Sequence, residues 1–290
     1  MEKQLSDRYA RNGFVSNSES SAAPKVVPMN LTLAQQLGSA LVGRGRMLAD
    51  AALDFVYPPR CLFCDDDTFP RSNSAGGHVP FCGDCHAELC PVATNACRRC
   101  GAPLGPYTRS GEGCTLCLRE RFAFDQVIRL GLYRDELRTA CLMAKSPTGA
   151  LMGRALASEL VTAQLEALTA QTFDAVVPVP EHWLKRLARP QYAAETIARE
   201  LSRRLKVHLA TGILAKQRWT PKQARSSPAE RRIQQHGAFG TSKRTNLHGQ
   251  TLLIVDDILT TGATAHEAAR TLKRAGAKRV VVAVIAVSPP

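Results

Sequence analysis

The sequence of 290 residues lacks the two features that mark exported and membrane-spanning proteins. No apolar run approaches the roughly 20 residues that a helix needs to cross a bilayer. The longest candidate, residues 280–287, is short and β-branched, as a strand would be. The N-terminal segment is polar and has no apolar signal core. We therefore expect a cytoplasmic protein with no membrane span.

Acidic residues are scarce in one part of the chain. Residues 182–244 contain fifteen lysines and arginines against three glutamates, so this stretch carries a net charge of +12 out of the chain's +13. Such a segment could neutralise the phosphates of single-stranded DNA, with an affinity that falls as salt rises. A lid over an anionic substrate, or a solvated basic face, explains the charge equally well. DNA is therefore one of several partners that the composition allows.

Cysteine is abundant, and its spacing points to metal rather than to disulfides. Eight of the ten cysteines form four Cys-x-x-Cys pairs: Cys61 and Cys64, Cys82 and Cys85, Cys97 and Cys100, Cys114 and Cys117. Two such pairs complete a tetrahedral Zn²⁺ site, so four pairs predict two structural zincs. The pairs can combine in sequence order or in an interleaved, cross-braced order. Cys90 and Cys141 remain, and we expect each to be a small buried apolar residue. His78 and His86 lie among the pairs and could replace a cysteine as a ligand, but with eight thiolates present we expect each to lie at the surface or beside a zinc site.

The most informative motif lies between residues 252 and 264. Four apolar residues predict a buried strand, Asp256 and Asp257 follow, and a small hydroxylated turn then opens a helix. Carboxylates at the end of a parallel strand can accept hydrogen bonds from the two hydroxyls of a ribose. The turn, which we name the phosphate loop, consists of Thr260, Thr261, Gly262, Ala263 and Thr264. Its backbone N–H groups at a helix N-terminus favour a phosphate.

An ordinary strand, turn and helix with conventional capping residues is the alternative for this motif. The complete ordered set nevertheless resembles the signature of type I phosphoribosyltransferases that binds 5-phosphoribosyl 1-diphosphate (PRPP). That resemblance implies that Asp256 and Asp257 bind the ribose diol and that the phosphate loop holds the 5-phosphate. It also implies Mg²⁺ bound together with PRPP, and transfer chemistry that depends on positioning and charge rather than on a covalent nucleophile.

Basic side chains elsewhere are candidates for the diphosphate of the same ligand. A strand at residues 173–179 enters a proline-rich turn, which faces the same crevice as the acid pair. His182, Lys185 and Arg186 follow this turn, and Lys145 lies in a turn of small residues. Each of them could instead be an exposed residue with no ligand.

The chain divides into four predicted regions. We expect residues 1–30 to be a disordered tail, residues 31–59 an amphipathic helix, residues 60–121 a double zinc ribbon and residues 122–290 a phosphoribosyltransferase-like α/β domain. In the last region strands are predicted at 124–133, 173–179, 207–213, 252–255 and 280–287, and helices at 136–143, 151–168, 192–205 and 265–275. This alternation predicts a parallel sheet covered by helices on both faces.

Taken together, the motifs resemble the ComF family, whose members join a zinc-binding module to a phosphoribosyltransferase-like domain. The resemblance rests on Pro58-Pro59-Arg60-Cys61, the four cysteine pairs, Tyr133, Leu137, Arg138 and Lys145, Val177-Pro178-Val179-Pro180, Thr220-Pro221-Lys222-Gln223, Arg231, Gly237-Ala238-Phe239 and the 252–264 motif. It implies a PRPP- or nucleotide-binding, phosphoribosyltransferase-like protein linked to DNA uptake or nucleotide metabolism. One alternative is a non-catalytic module that binds nucleotide or single-stranded DNA. Another is a zinc-ribbon adaptor that recruits a helicase of the uptake machinery, with the sugar-phosphate site as a sensor.

Two stretches depart from the pattern of that family. The family carries Arg-Gly-Phe-Asn-Gln after its proline-rich strand, whereas this chain has Arg189-Pro190-Gln191-Tyr192-Ala193. The family's Arg-x-x-Asn is replaced by Arg231-Arg232-Ile233-Gln234. Both changes fall where pyrophosphate or the acceptor base is expected, and they leave the phosphate loop intact.

Overall fold

A computed structural model describes residues 60–66, 80–91, 95–105, 114–182, 192–218, 228–242 and 245–289. The predicted tail at 1–30 and the predicted amphipathic helix at 31–59 lie outside these ranges. Within them, no helix combines the length and the apolar character that crossing a bilayer requires.

The described chain is organised around a sheet of four parallel strands. Its strands are β1 (Gln126–Leu132), β2 (Ala175–Pro178), β5 (Thr251–Leu259) and β6 (Arg279–Val287). Their order across the sheet is β1-β6-β5-β2, so β5 and β6 are central. A separate antiparallel pair joins β3 (Ala215–Lys216) to β4 (Phe239–Gly240).

Helices connect the strands, as parallel pairing requires. They are α1 (Gly83–Leu89), α2 (Thr115–Arg119), α3 (Asp135–Ala144), α4 (Ala150–Ala163), α5 (Leu165–Thr169), α6 (Ala193–Leu205), α7 (Pro228–Gln235) and α8 (Ala263–Arg274).

Both faces of the central strands are buried. Because side chains alternate along a strand, Leu253 and Val255 of β5 point to one face and Leu252 and Ile254 to the other, and all four are fully buried. The first face packs with α3, α4 and α6, and the second with α8. The predicted α/β class, a parallel sheet with helices on both faces, is confirmed.

The cysteine-rich segments pack directly on this α/β domain. Phe81, Cys85 and Leu89 of the first ribbon belong to the same buried cluster as α3 and α4. The second ribbon covers the edge strand β1, where the Val127 N–H donates to the carbonyl of Arg98 at 2.9 Å. Covering an edge in this way prevents it from pairing with another chain.

Four details differ from the sequence-based prediction. The helix predicted at 151–168 is divided into α4 and α5 at Gln164. The strand predicted at 207–213 is reduced to one parallel bridge between Val176 and Leu209. Strand β5 continues through the acid pair to Leu259, and α7 forms between residues 213 and 252, where no element was predicted. Each difference reflects pairing or packing with distant residues, which local pattern does not encode.

The turn that carries Lys145 depends on a glycine. A Cβ atom at Gly149 would overlap the backbone carbonyl oxygen of Met143. We expect Gly149→Ala to lower the free energy of unfolding by about 2 kcal/mol, because the turn must open to relieve this overlap. Urea denaturation of the purified protein measures the change.

Gly153, one turn later in α4, provides a matched control. A Cβ atom there meets the Thr196 side chain at 3.5 Å, an ordinary contact. Gly153→Ala should therefore be neutral or stabilising, by up to about 1 kcal/mol, as expected for a helical glycine. Equal losses in the two variants would contradict the proposed role of Gly149.

Candidate functional site

The acid pair lies at the carboxyl end of the sheet. Strand β2 ends at Pro178, opposite Val255, so Asp256 and Asp257 of β5 extend past the end of their neighbour. On the other side, Asp256 pairs with Val284 of β6. The crevice beyond the carboxyl ends of parallel strands is the usual ligand position in open α/β sheets. The structure therefore places the pair where the sequence predicted it.

Local hydrogen bonds orient both carboxylates. Asp256 Oδ1 accepts from the Asp257 N–H at 2.9 Å, and Asp257 Oδ1 accepts from the Ile258 N–H at 2.7 Å. The second oxygen of Asp257 lies 3.1 Å from Nζ of Lys145. Lys145, predicted as a site residue from a turn more than 100 positions away, is thus brought to the acid pair.

Burial and mutual repulsion alter the ionisation of this pair. Burial, together with the negative charge of Asp257, raises the pKa of Asp256 to about 8, although Lys145 and Lys216 act in the opposite direction. A substantial fraction of Asp256 is therefore protonated near neutral pH. Ligand or metal binding that requires the carboxylate would release this proton.

Lys145 keeps its charge in this half-buried position. Burial alone would lower its pKa, but the adjacent Asp257 outweighs burial and raises it. The residue directly follows α3, and its N–H donates to the carbonyls of Leu142 and Met143. The site therefore contains a fixed cation beside its two acids.

The phosphate loop joins β5 to α8. Gly262 adopts a left-handed conformation with φ of +73° and caps α8, which begins at Ala263. The Thr261 hydroxyl accepts from the Ala263 N–H at 3.4 Å. Because N–H groups in the first turn of a helix have no intrahelical acceptor, this turn offers donors to an anion. Thr260 is exposed and Thr264 is half-buried, so both hydroxyls can be reached from solvent.

The linker between the second ribbon and β1 supports the phosphate loop, which the sequence reasoning missed. A Cβ atom at Gly262 would lie 2.9 Å from the Phe122 ring, and that ring stacks on Phe124 at 4.7 Å. The Ala123 N–H donates to Nδ1 of His266 in α8 at 3.0 Å. Gly262 is therefore required for space as well as for backbone conformation. No short motif signals these contacts, because they join residues 140 positions apart.

Two further residues surround the acid pair. The Tyr192 hydroxyl donates to the Val179 carbonyl at 2.9 Å, and burial together with both aspartates raises its pKa well above the usual value. Lys216 of β3 lies close enough to Asp256 to lower its pKa, with Nζ 5.6 Å from the centre of the Phe239 ring. Sequence analysis identified Tyr192 only as a departure from the family and Lys216 only as part of the basic segment.

Three further basic residues, His182, Lys185 and Arg186, were predicted to bind the diphosphate. His182 follows β2 and is 8% exposed, and its role in ligand binding stays a prediction. Lys185 and Arg186 lie outside the described residues.

The eight paired cysteines converge into two tetrads. Cys61, Cys64, Cys82 and Cys85 form one, and Cys97, Cys100, Cys114 and Cys117 the other. Sulfur–sulfur distances include 3.7 Å between Cys64 and Cys82 and 3.8 Å between Cys97 and Cys117. A tetrahedron with Zn–S bonds of about 2.3 Å has edges of roughly 3.8 Å. The tetrads are therefore consistent with two structural zinc sites, with the pairs joined in sequence order.

Comparison with known proteins agrees with both halves of this architecture. Residues 52–118 match the double zinc ribbon domain, and residues 187–289 match the phosphoribosyl transferase domain. Competence protein F of Haemophilus influenzae is 24% identical over 227 residues, covering 77% of this chain and 94% of that protein. DNA utilization protein YhgH of Escherichia coli O157:H7 is 26% identical over 230 residues, covering 78% and 96%. Glutamine PRPP amidotransferase from B. subtilis aligns at a TM-score of 0.29 with 22% identity, over 46% of this chain and 24% of its own.

Fold and site together define a phosphoribosyltransferase-type α/β domain joined to a double zinc ribbon. This pairing of domains, with the similarity to the two bacterial relatives, supports the resemblance to the ComF family that the sequence indicated.

The raised pKa of Asp256 predicts a pH-dependent cost to folding. The folded protein holds a proton on this carboxyl up to about pH 8, whereas the unfolded chain releases it near the ordinary value of 3.8. Between these values stability falls as pH rises, because the unfolded state binds fewer protons. Asp256→Asn removes this pH-dependent loss of stability. The free energy of unfolding of the variant, relative to that of wild type, should therefore increase between pH 6 and pH 8.5.

We expect the relative gain to be at least about 1.4 kcal/mol, which corresponds to a tenfold change in the ionisation equilibrium. Urea denaturation of both proteins at both pH values measures it. All other titrating groups are common to the two proteins, so their contributions largely cancel. A stability difference that is the same at both pH values would mean that Asp256 is already ionised at pH 6.

Proposed function

We propose that this protein binds PRPP at the carboxyl end of β5. The observation that carries the proposal is that the acids and the phosphate loop follow each other along the chain. Asp256 and Asp257 lie near the end of β5, and α8 begins at Ala263, within the loop. Carboxylates that accept from two hydroxyls, followed by N–H donors for a phosphate, match the two ends of a 5-phosphoribosyl group.

Each part of the ligand has a partner in this arrangement. The ribose hydroxyls would donate to the carboxylates of Asp256 and Asp257, and the 5-phosphate would accept from the N–H groups and hydroxyls of the phosphate loop. Lys145 already lies beside Asp257 and would donate to an oxygen of the diphosphate. The positive charge of Lys216 adds to the attraction for an anionic ligand.

Mg²⁺ fits the same site. Hard oxygen donors and retained waters are what this ion prefers, and the carboxylates of Asp256 and Asp257 supply such donors. When bound, the ion would neutralise charge on the diphosphate. The protein's own contribution is to orient the ribose and to place Lys145 near the leaving group.

Ligand binding, rather than turnover, is the function that the geometry supports best. Tyr192 stands where the family carries asparagine, and its hydroxyl already donates to Val179 beside the acid pair. A transferase would need this region for pyrophosphate or an acceptor. Pyrophosphate release on addition of nucleobases to the PRPP-bound protein would identify a phosphoribosyltransferase instead.

The biological setting that we propose is the uptake or use of DNA. Two relatives are named for these processes, and the chain covers more than nine-tenths of each. A phosphoribosyl-binding domain in such a protein would report the supply of nucleotide precursors.

A second candidate function, binding of single-stranded DNA, is favoured by the surface of α6. Arg199 and Arg203 are about two-thirds exposed, and Arg204, Lys206 and Arg154 lie nearby. Glu195 and Glu200 pair with several of these arginines and reduce the charge without cancelling it. The patch retains a net positive charge, which suits a phosphate backbone.

The PRPP proposal is tested by removing both acids. Asp256→Asn with Asp257→Asn should weaken Mg-PRPP binding at least about a hundredfold, since two charge-assisted hydrogen bonds at roughly 1.5–3 kcal/mol each are lost. Isothermal titration calorimetry measures the affinity, and zinc content should not change.

Asp65→Asn with Asp135→Asn is the matched control for this double change. Both residues are exposed acids in the left-handed backbone region, where asparagine is well tolerated. This control should bind Mg-PRPP like wild type. Retained binding in the Asp256 and Asp257 variant would place the ligand elsewhere, and absence of binding to wild type would leave the DNA-binding function.

The DNA-binding function predicts a specific salt response. Affinity for a single-stranded oligonucleotide should fall steeply with salt, and Arg199→Ala with Arg203→Ala should reduce the log–log slope by about 1.4, or about 0.7 for each lost phosphate contact. Fluorescence anisotropy measures both quantities. Arg134→Ala, an exposed arginine beside α3, is the control and should leave the slope unchanged. A flat salt dependence in wild type would exclude this function.

A further inference from the structure

A third group of metal-ligating side chains lies outside both cysteine tetrads. It consists of His86 and Cys90 from the α1 region of the first ribbon and Glu159 from α4 of the α/β domain. One ligand atom from each residue lies within 4.8 Å of the other two. From the sequence, Cys90 was expected to be a small buried apolar residue, and His86 was considered as a ligand only in place of a cysteine of the tetrads.

Helix geometry explains why two of these side chains meet. The Cys90 N–H donates to the His86 carbonyl at 2.9 Å, so the helical turn continues to Cys90. Residues four apart on a helix lie on the same side. The imidazole and the thiol therefore face the same neighbour.

That neighbour is the carboxylate of Glu159. Its Oε2 lies 3.2 Å from Nε2 of His86, and the Glu159 side chain is 13% exposed against 48% for His86. The cluster is thus anchored on the domain side and open to solvent on the ribbon side. An ion could enter without unfolding either element.

The donor set suits a borderline transition metal. Imidazole nitrogen, thiolate sulfur and carboxylate oxygen are the three ligand types that Zn²⁺ takes in proteins. In a tetrahedral site with Zn–N and Zn–O bonds of about 2.0–2.1 Å, the nitrogen–oxygen edge is roughly 3.3 Å, close to the distance between His86 and Glu159. Three protein ligands leave a fourth position for water.

We propose that His86, Cys90 and Glu159 form a third site for a divalent transition metal of the zinc class, which connects the first ribbon to the α/β domain. Binding displaces the thiol proton of Cys90 to solvent, because the coordinating form is the thiolate. An ion held by both modules would stabilise their contact, since it binds only the folded arrangement. With one open position, this site would be weaker and more exchangeable than the two tetrads.

Cobalt is a suitable probe because a thiolate ligand gives Co²⁺ a charge-transfer absorption. Full-length protein with two zincs per chain, confirmed by elemental analysis, is dialysed against Co²⁺. Wild type should bind one further equivalent and show thiolate charge transfer while both zincs are retained. Cys90→Ser should lose the charge transfer, and His86→Ala and Glu159→Gln should each weaken Co²⁺ binding at least about tenfold.

Two control variants separate this site from non-specific binding. Glu88→Gln removes an exposed acid from the same helix, and Cys141→Ser removes a buried thiol outside the cluster. Both should bind the third ion like wild type. Retention of two zincs and an unchanged circular dichroism spectrum show that a variant is folded. If Cys90→Ser does not fold, Co²⁺ binding by His86→Ala and Glu159→Gln tests the site.

The proposal is overturned if wild type binds only two ions. It is also overturned if folded His86→Ala and Glu159→Gln bind the third ion as tightly as Glu88→Gln does, since the cluster is then an ordinary hydrogen bond between histidine and glutamate.

Discussion

The central constraint in this structure is the negative charge of two adjacent aspartates, Asp256 and Asp257, at the carboxyl end of β5. Strand β5 is buried on both faces, so the carboxyl end is the one place along it where acids can reach a ligand. Two adjacent aspartates there repel each other, and the ammonium of Lys145 at 3.1 Å from Asp257 compensates part of the charge. The turn behind Lys145 is closed by Gly149, and the turn after the acids by Gly262. The site therefore contains repulsion between two carboxylates, and the two glycine-containing turns keep its residues together.

The ribbons are integrated with this site rather than appended to it. The first ribbon contributes Phe81 and Leu89 to the main core, and the second covers the exposed edge of β1. The linker that leaves the second ribbon places Phe122 against Gly262 of the phosphate loop. The two cysteine tetrads and the phosphate loop therefore belong to one connected body. A disturbance of the second ribbon would reach the phosphate loop and α8 through Phe122 and through the hydrogen bond from Ala123 to His266.

Predictions that rested on local chemistry were confirmed. Two-residue cysteine spacing predicted shared metal sites, and the structure joins the pairs in sequence order into two tetrads that are consistent with zinc. The apolar run of β5 predicted a buried strand, which the structure contains. Gly276, two residues after the end of α8, has the positive φ that is common after helix C-termini. The strand predicted at 207–213 was largely wrong. This segment forms one parallel bridge, between Leu209 and Val176. Extension of β5 beyond Val255 was also missed, since it depends on pairing with β6.

The sequence by itself determined the two ribbons, the α/β class and the identity of the acids and the phosphate loop, because each depends on residues close together in the chain. Tertiary structure alone decided which distant groups surround them. Lys145, Tyr192 and Lys216 reach the acid pair from three separate elements, and the raised pKa of Asp256 is a property of that assembly. Likewise, His86 meets Glu159 across 73 positions. Burial and Coulomb energy depend on distances in space, which no local spacing encodes.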